Sequence, residues 1–278
     1  MQIELVFYTL LGLIIGSFLN VCIYRIPLKK SIAFPGSACP NCGAAIRPYD
    51  NIPVLSYLFL MGKCRGCRTP ISMQYPLVEL VSGIIFYGCA RTWEFTSPTY
   101  VNSLFLCVIL VLVFTDFHHR ILPNILTIPG TLLGILLSPF QMQAVYLGIL
   151  DIKVASLLSL TNAAFAIPWI GSILGALFGG GSLFLVGFGY EKLRKRQGLG
   201  MGDVKMMAMV GAFLGYRLTL LTIFSGSLIG TILGISLILL RKSNLQTKLA
   251  FGVFLGAGAI FSLFWGLPFL HWYLRAYQ

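Results

Sequence analysis

The run LVFYTLLGLIIGSFLNVCIY, residues 5–24, decides the fold. Twenty residues without a charge, wound as a helix at 1.5 Å per residue, reach about 30 Å, the thickness of a bilayer's hydrocarbon core. No basic residue precedes the run, and Arg25, Lys29 and Lys30 follow it. A cleavable export signal has the opposite charge order, so the run reads as a retained span with its N-terminus outside. Further apolar runs follow at 76–92, 100–118, 121–139, 164–189, 203–215, 217–240 and 249–273, which makes eight in all. The whole chain agrees: 57% of its 278 residues are hydrophobic and 10% charged, with mean hydropathy +0.87. Soluble domains carry about 25% charged residues. The expected architecture is an all-α polytopic membrane protein with about eight transmembrane helices. Residues 1–25 form the first span, 26–75 a cytoplasmic loop domain, and 76–278 a helical bundle.

The basic residues test the topology. With the N-terminus outside, the inside loops 25–75, 118–120, 190–205 and 241–248 hold seven, one, five and three of the 20 Lys and Arg. Only Arg91, Lys153, Arg217 and Arg275 fall outside, as the positive-inside rule requires. The +12 net charge is thus an orientation signal and an attraction to anionic lipid heads. No basic stripe interleaved with aromatics suggests nucleic-acid binding. Residues 140–163, with Asp151 and Lys153, read as an outside loop that could carry an amphipathic helix on the membrane surface. Gly171, Gly175 and Gly179, and again Gly226, Gly230 and Gly234, recur every four residues. Each trio lies on one helix face, where small residues let helices pack closely; a hinge or substrate groove is the alternative.

The 26–75 loop contains CPNC (Cys39, Cys42) and CRGC (Cys64, Cys67). Two Cys-x-x-Cys pairs at this separation form the pattern of a tetrahedral four-cysteine zinc site, with redox pairs as the rival reading. A cytoplasmic loop keeps its thiols reduced, which argues against structural disulfides. Four sulfurs leave no coordination position for water, so the expected metal is structural. It staples a polar loop poor in apolar residues. Cys22, Cys89 and Cys107 lie in apolar runs and read as small hydrophobes.

The chain has only eight acids. Three, Glu79, Asp116 and Asp203, lie within or at the end of a span, where an ionisable group is a functional candidate. Asp116 in VFTDFHHRILPN ends the third span and Asp203 in GLGMGDVKMMAMVG opens the sixth. Both therefore fall near the cytosolic face. Two adjoining carboxylates can divide the labour of acid and base and activate water against a peptide carbonyl. Gly200 and Gly202 would let a substrate backbone approach. The alternatives are structural: Asp203 paired with Lys205 or Arg120, Asp116 as a helix cap, Glu79 paired with a loop base, and His118 and His119 as interfacial side chains. A proton-coupled transporter is the second functional class, but it would spread its acids through the bilayer depth.

These segments together resemble the type IV prepilin peptidases, which also serve type II secretion. GSFLNVCIYRIP (16–27), the tetracysteine stretch 39–72 and YPLVEL (75–80) are similar to that family's N-terminal half. DFHHRILPN (116–124) and GMGDVKMMAMVGAFLG (200–215) are similar to its catalytic half. The Gly-Met-Gly-Asp signature is also similar to that of intramembrane aspartyl proteases such as presenilin. The resemblance implies Asp116 and Asp203 as catalytic aspartates, and Cys39, Cys42, Cys64 and Cys67, the zinc ligands expected from their spacing, lie in its matched N-terminal segment. Gly200, Gly202, Lys205 and Glu79 become candidate substrate contacts, with Glu79 or Asp50 facing a basic leader. It implies prepilin or pseudopilin substrates with an apolar helix after the cleavage point. It further implies N-methylation of the new terminus from S-adenosylmethionine, in a bacterial cytoplasmic (inner) membrane. Two departures stand out. His118 and Asn124 occupy positions where the family often has acids, and Ala250-Phe251-Gly252-Val253 stands where it often reads Pro-Phe-Gly-Pro.

Overall fold

The computed structural model describes residues 2–141, 163–195, 198–240 and 250–275. The surface loop expected at 140–163 and the basic segment 241–248 lie almost wholly outside these residues. Helices dominate, and the only β pairing among the described residues is two isolated bridges in the cysteine loop. A chain in lipid satisfies its backbone polar groups within each segment, which selects helices. The helices are α1 (Gln2–Arg25), α2 (Leu55–Phe59), α3 (Gln74–Trp93), α4 (Ser97–His119), α5 (Asn124–Leu137), α6 (Ala163–Arg194), α7 (Met201–Leu239) and α8 (Phe251–Arg275).

Five stretches are long and apolar enough to cross a membrane: Gln2–Arg25, Ser97–His119, Pro168–Arg194, Met201–Leu237 and Phe251–Tyr273. The difference from the expected eight runs lies in three places. Helix α3 carries Glu79 and is less apolar. Helix α5, with Pro129 inside it, is only 14 residues long before a short 3-10 turn. The runs at 203–215 and 217–240 are successive parts of α7, which breaks at Gly215 (φ 66°, ψ 169°). Only glycine adopts that conformation readily, and a straight 39-residue helix would reach about 58 Å, twice the bilayer core.

Two compact units divide the chain, Met1–Val111 and Leu112–Gln278. In the first, α1 packs on α3 through glycines. A Cβ at Gly16 would stand 2.7 Å from Glu79 Cα, and one at Gly12 2.7 Å from Phe86 Cβ. Buried Asn20 donates to the Tyr75 carbonyl at 3.0 Å, and Tyr8 to Ser103 Oγ at 3.0 Å. In the second unit, α7 is the central helix. Gly175 and Gly179 of α6 lie directly on the α7 backbone at Gly211 and Met207, and Gly226 of α7 lies on Phe254 and Leu255 of α8. Gly175 and Gly179 of the first series, and Gly226 and Gly230 of the second, mark close helix crossings, the packing alternative of the sequence reading. Met206, Met207, Met209, Val210 and Leu214 are fully buried, so the start of α7 is held in the core.

Candidate active site and metal centre

Asp116 lies in the last turn of α4 and is almost fully buried. The amides of Gly252 and Val253, at the start of α8, face its carboxylate. The approach is close: a Cβ on Gly252 would lie 2.8 Å from Asp116 Oδ2. Among the described residues that Oδ2 has no hydrogen-bond partner.

Asp203 occupies the first turn of α7, half-buried, with its amide donating to the Gly200 carbonyl at 3.1 Å. Leu122 ties the two acids together. A Cβ on Gly202, beside Asp203, would sit 3.0 Å from Leu122 Cβ. One on Gly252, beside Asp116, would sit 3.2 Å from Leu122 Cδ1. Gly202, next to Asp203 in the chain, and Gly252, which faces Asp116, thus approach the same leucine side chain. Lys205, the candidate ion-pair partner of Asp203, donates instead to Asn124 Oδ1 at 3.0 Å. The departure at Asn124 thus supplies a neutral partner for Lys205. Arg120 closes the end of α4 through its amide, which donates to the Asp116 carbonyl at 2.8 Å. His118 and His119 point outward, exposed.

Glu79 belongs to the first unit. It is buried, and its Oε2 accepts the Val54 amide at 2.8 Å with Ser17 as a second partner. Asp50 is gripped by Arg65, whose Nη2 approaches Oδ1 at 2.6 Å, and this pair holds the Asp50 carboxyl below its ordinary range.

The cysteine loop folds as two copies of one turn. The Cys39 amide donates to Ala44 O and the Gly43 amide to Cys39 O; Cys64 repeats this with Thr69 O, and Arg68 with Cys64 O. Ile46 to Ser37 and Ile71 to Gly62 close each copy. The fifth residue of each turn, Gly43 and Arg68, is left-handed. The four sulfurs lie within 4.8 Å of one another, and Cys39 and Cys67 are 3.8 Å apart. Four sulfurs held about 2.3 Å from one zinc ion stand about 3.8 Å apart, so this donor set fits a tetrahedral ion. The Thr69 hydroxyl at 2.9 Å, followed by the Thr69 amide and Asn41, pulls the Cys67 thiol down to about 5, which favours the thiolate that metals require.

The linear sequence reveals no contact of Leu122 or Gly252-Val253 with either aspartate. Their signal was present in the matched motifs, but nothing in the linear order brings 116, 122, 202 and 252 together. The repeated turn was also unassigned, although CPNCGAAI and CRGCRTPI share their Cys and Ile spacing.

A helical, multi-span membrane protein with two neighbouring carboxylates at its helix ends and a four-cysteine centre is the class defined by this fold and site. Residues 10–93 match the bacterial peptidase A24 N-terminal domain, and residues 103–235 the type IV leader peptidase family. The prepilin leader peptidase/N-methyltransferase of Pseudomonas aeruginosa is 33% identical over 96% of this chain and 92% of its own length. That of Aeromonas hydrophila is 32% identical over 95% and 92%. That of Myxococcus xanthus is 38% identical over 84% of this chain, which spans 63% of the Myxococcus protein's length. No solved structure matches the chain. The chain belongs to the type IV leader peptidase family.

Proposed function

We propose that the chain is a membrane aspartyl endopeptidase that removes the leader of prepilins and then methylates the new N-terminus. The observation that carries the peptidase reading is the meeting of Gly202-Asp203 and Asp116-Gly252 around Leu122. Two carboxyl groups in such proximity share a proton. The ionised one takes a proton from water, whose oxygen attacks the scissile carbonyl carbon. The protonated one donates to the carbonyl oxygen, and collapse of the tetrahedral species returns a proton to the leaving amine. Gly252 and Val253 hold the Asp116 carboxylate in place, and Gly200 and Gly202 leave room for an extended substrate backbone. Lys205, anchored on Asn124, is a candidate contact for the substrate's backbone carbonyls.

The substrate class extends to pseudopilins, whose apolar helix would occupy the bilayer beside the enzyme. Apolar contact supplies most of the binding, because a chain of net charge +12 repels a basic leader. The protein would sit in the bacterial cytoplasmic membrane with the 26–75 loop and both aspartates toward the cytosol. Eight spans would follow if α3, α5 and both parts of α7 cross. Cys39, Cys42, Cys64 and Cys67 would hold one zinc ion that stabilises the loop. S-adenosylmethionine would supply the methyl group, and the relatives' shared name supports that second activity. Ion-coupled transport would distribute its acids through the bilayer, whereas the paired acids here lie at helix ends. The test is incubation of the purified chain with a prepilin, with and without S-adenosylmethionine. The product should begin at the residue after the leader and gain one methyl mass when the donor is present. An intact prepilin would refute the peptidase reading.

A further inference from the structure

The N-terminal unit contains a groove of about 900 Å³ with mostly apolar walls. One wall is a stripe on α1, Leu10, Ile14 and Phe18, spaced four apart and each about half exposed. Segments 32–37 and 51–55 form the other. That second wall is fixed to the helices. Arg25 donates to the Ser31 and Gly36 carbonyls at 3.0 and 3.3 Å, and Ser17 Oγ to Asn51 Oδ1 at 3.4 Å. The Val54 amide donates to buried Glu79 at 2.8 Å. A helix that merely faces lipid has no second wall, so a molecule in this groove is held on both sides.

The direction of the groove points to its occupant. It follows α1 from Leu10 to Arg25, a rise of about 22 Å at 1.5 Å per residue. One leaflet, hydrocarbon and headgroups together, is about 20–22 Å thick. With α1 across the bilayer, Arg25 lies at the interface and Leu10 near the midplane. Polarity along the groove follows the same order. Leu10, Leu13 and Ile14 line the inner end, and positive charge gathers at the outer one. The carbonyl bonds of Arg25 occupy two of its five N–H groups, so its fork keeps donors for a phosphate. Lys29 and Lys30 close the turn after α1 through their amides, on the Ile26 and Arg25 carbonyls, and add two exposed ammonium groups. Asp50, beside the lining, is already paired with Arg65 at 2.6 Å. Phe34, outside the lining, is 80% exposed, so the wall also presents apolar surface away from the groove, as suits a lipid surround.

We propose that this groove binds one phospholipid of the leaflet at the Arg25 end, with an acyl chain along Leu10, Ile14 and Phe18 and the phosphate on Arg25, Lys29 and Lys30. The lipid bridges α1 and segments 32–37 and 51–55, and so ties the cysteine loop to the spanning helix of its own unit. The proposal rests on α1 as a membrane span and is independent of the peptidase chemistry.

The experiment uses the full-length protein, purified in detergent and stripped of lipid. It is mixed with dioleoylphosphatidylglycerol, or with dioleoylglycerol, which has the same chains and no phosphate. Native mass spectrometry should show a single phospholipid binding before any further lipids add, and dioleoylglycerol binding roughly tenfold more weakly, the loss of a charge-assisted contact. Equal binding of the two, or lipids adding without a distinct first step, would overturn the proposal. A phospholipid with a diazirine at the end of its acyl chain should crosslink preferentially to residues 10–18 when supplied at one molecule per chain. Labelling spread evenly over all the apolar helices would mean ordinary surrounding lipid and would also overturn it. Ile14→Trp fills the groove and should abolish the first binding step. Phe7→Trp, exposed on α1 but outside the lining, should retain it. Retention by Ile14→Trp would overturn the assignment. Should Ile14→Trp fail to fold, the lipid comparison and the crosslink in the wild type decide the matter alone.

Discussion

Replacement of Gly175 by alanine tests how the fold holds Asp203. A methyl group at Gly175 would collide with the Gly211 carbonyl and stand 2.8 Å from Gly215 Cα, where ordinary contact begins at 3.4 Å. Both obstacles are backbone, so no side chain can swing aside. Helices α6 and α7 must therefore part by at least about 0.6 Å, and by more at the carbonyl. Overpacking of this kind costs about 1–3 kcal/mol. Gly211 lies two turns along α7 from Asp203, on the same stiff, buried segment, so the displacement reaches the carboxylate. Positioning errors near 1 Å can cost about 100-fold in rate. Gly175→Ala should thus insert and purify with a modestly lowered thermal midpoint and lose cleavage by roughly 10- to 100-fold. Gly181→Ala is the control, because a Cβ there meets nothing within 4 Å. It should cleave at the wild-type rate. Wild-type cleavage by Gly175→Ala would refute the idea that this backbone crossing sets the position of Asp203.

Three other outcomes follow from the same geometry. Gly252→Ala places a methyl 2.8 Å from Asp116 Oδ2 and should cut cleavage about tenfold or more with little change in thermal midpoint; unchanged kinetics would separate Gly252 from the site. Purified protein should carry about one zinc per chain, and chelation or a Cys64→Ser/Cys67→Ser change should open residues 26–75 to proteolysis; a metal-free chain with a protected loop would contradict the metal centre. Single-cysteine labelling should find residues 30–70 and 191–197 on the cytosolic side and residue 151 outside; cytosolic labelling of 151 would break the eight-span topology.

Local signals carried much of this structure in the linear sequence. The apolar runs marked the helices because lipid leaves the backbone no other way to satisfy its polar groups, and the paired Cys-x-x-Cys spacing marked the four-cysteine cluster. Asp116 and Asp203 were legible because charge in a span is costly enough to need a reason. What the sequence did not disclose were the long-range meetings. Gly252 reaches Asp116 across 136 positions, and no periodicity encodes that approach. Asn124 was visible as a departure, but its hydrogen bond to Lys205 depends on how α5 lies against α7. The boundary between the runs 203–215 and 217–240 coincides with the break at Gly215, but hydropathy does not show that the two parts continue as one interrupted helix.

The central claim is that Asp116 and Asp203 act as one water-activating pair. Cleavage of a prepilin by purified Asp116→Asn, Asp203→Asn and the double variant tests it most directly, because each change keeps size and removes only the titratable group. Each single variant should insert normally and lose nearly all cleavage. The double variant should be little worse than either, since paired groups that act as a unit do not lose activity additively. Near wild-type cleavage by either single variant would contradict the account.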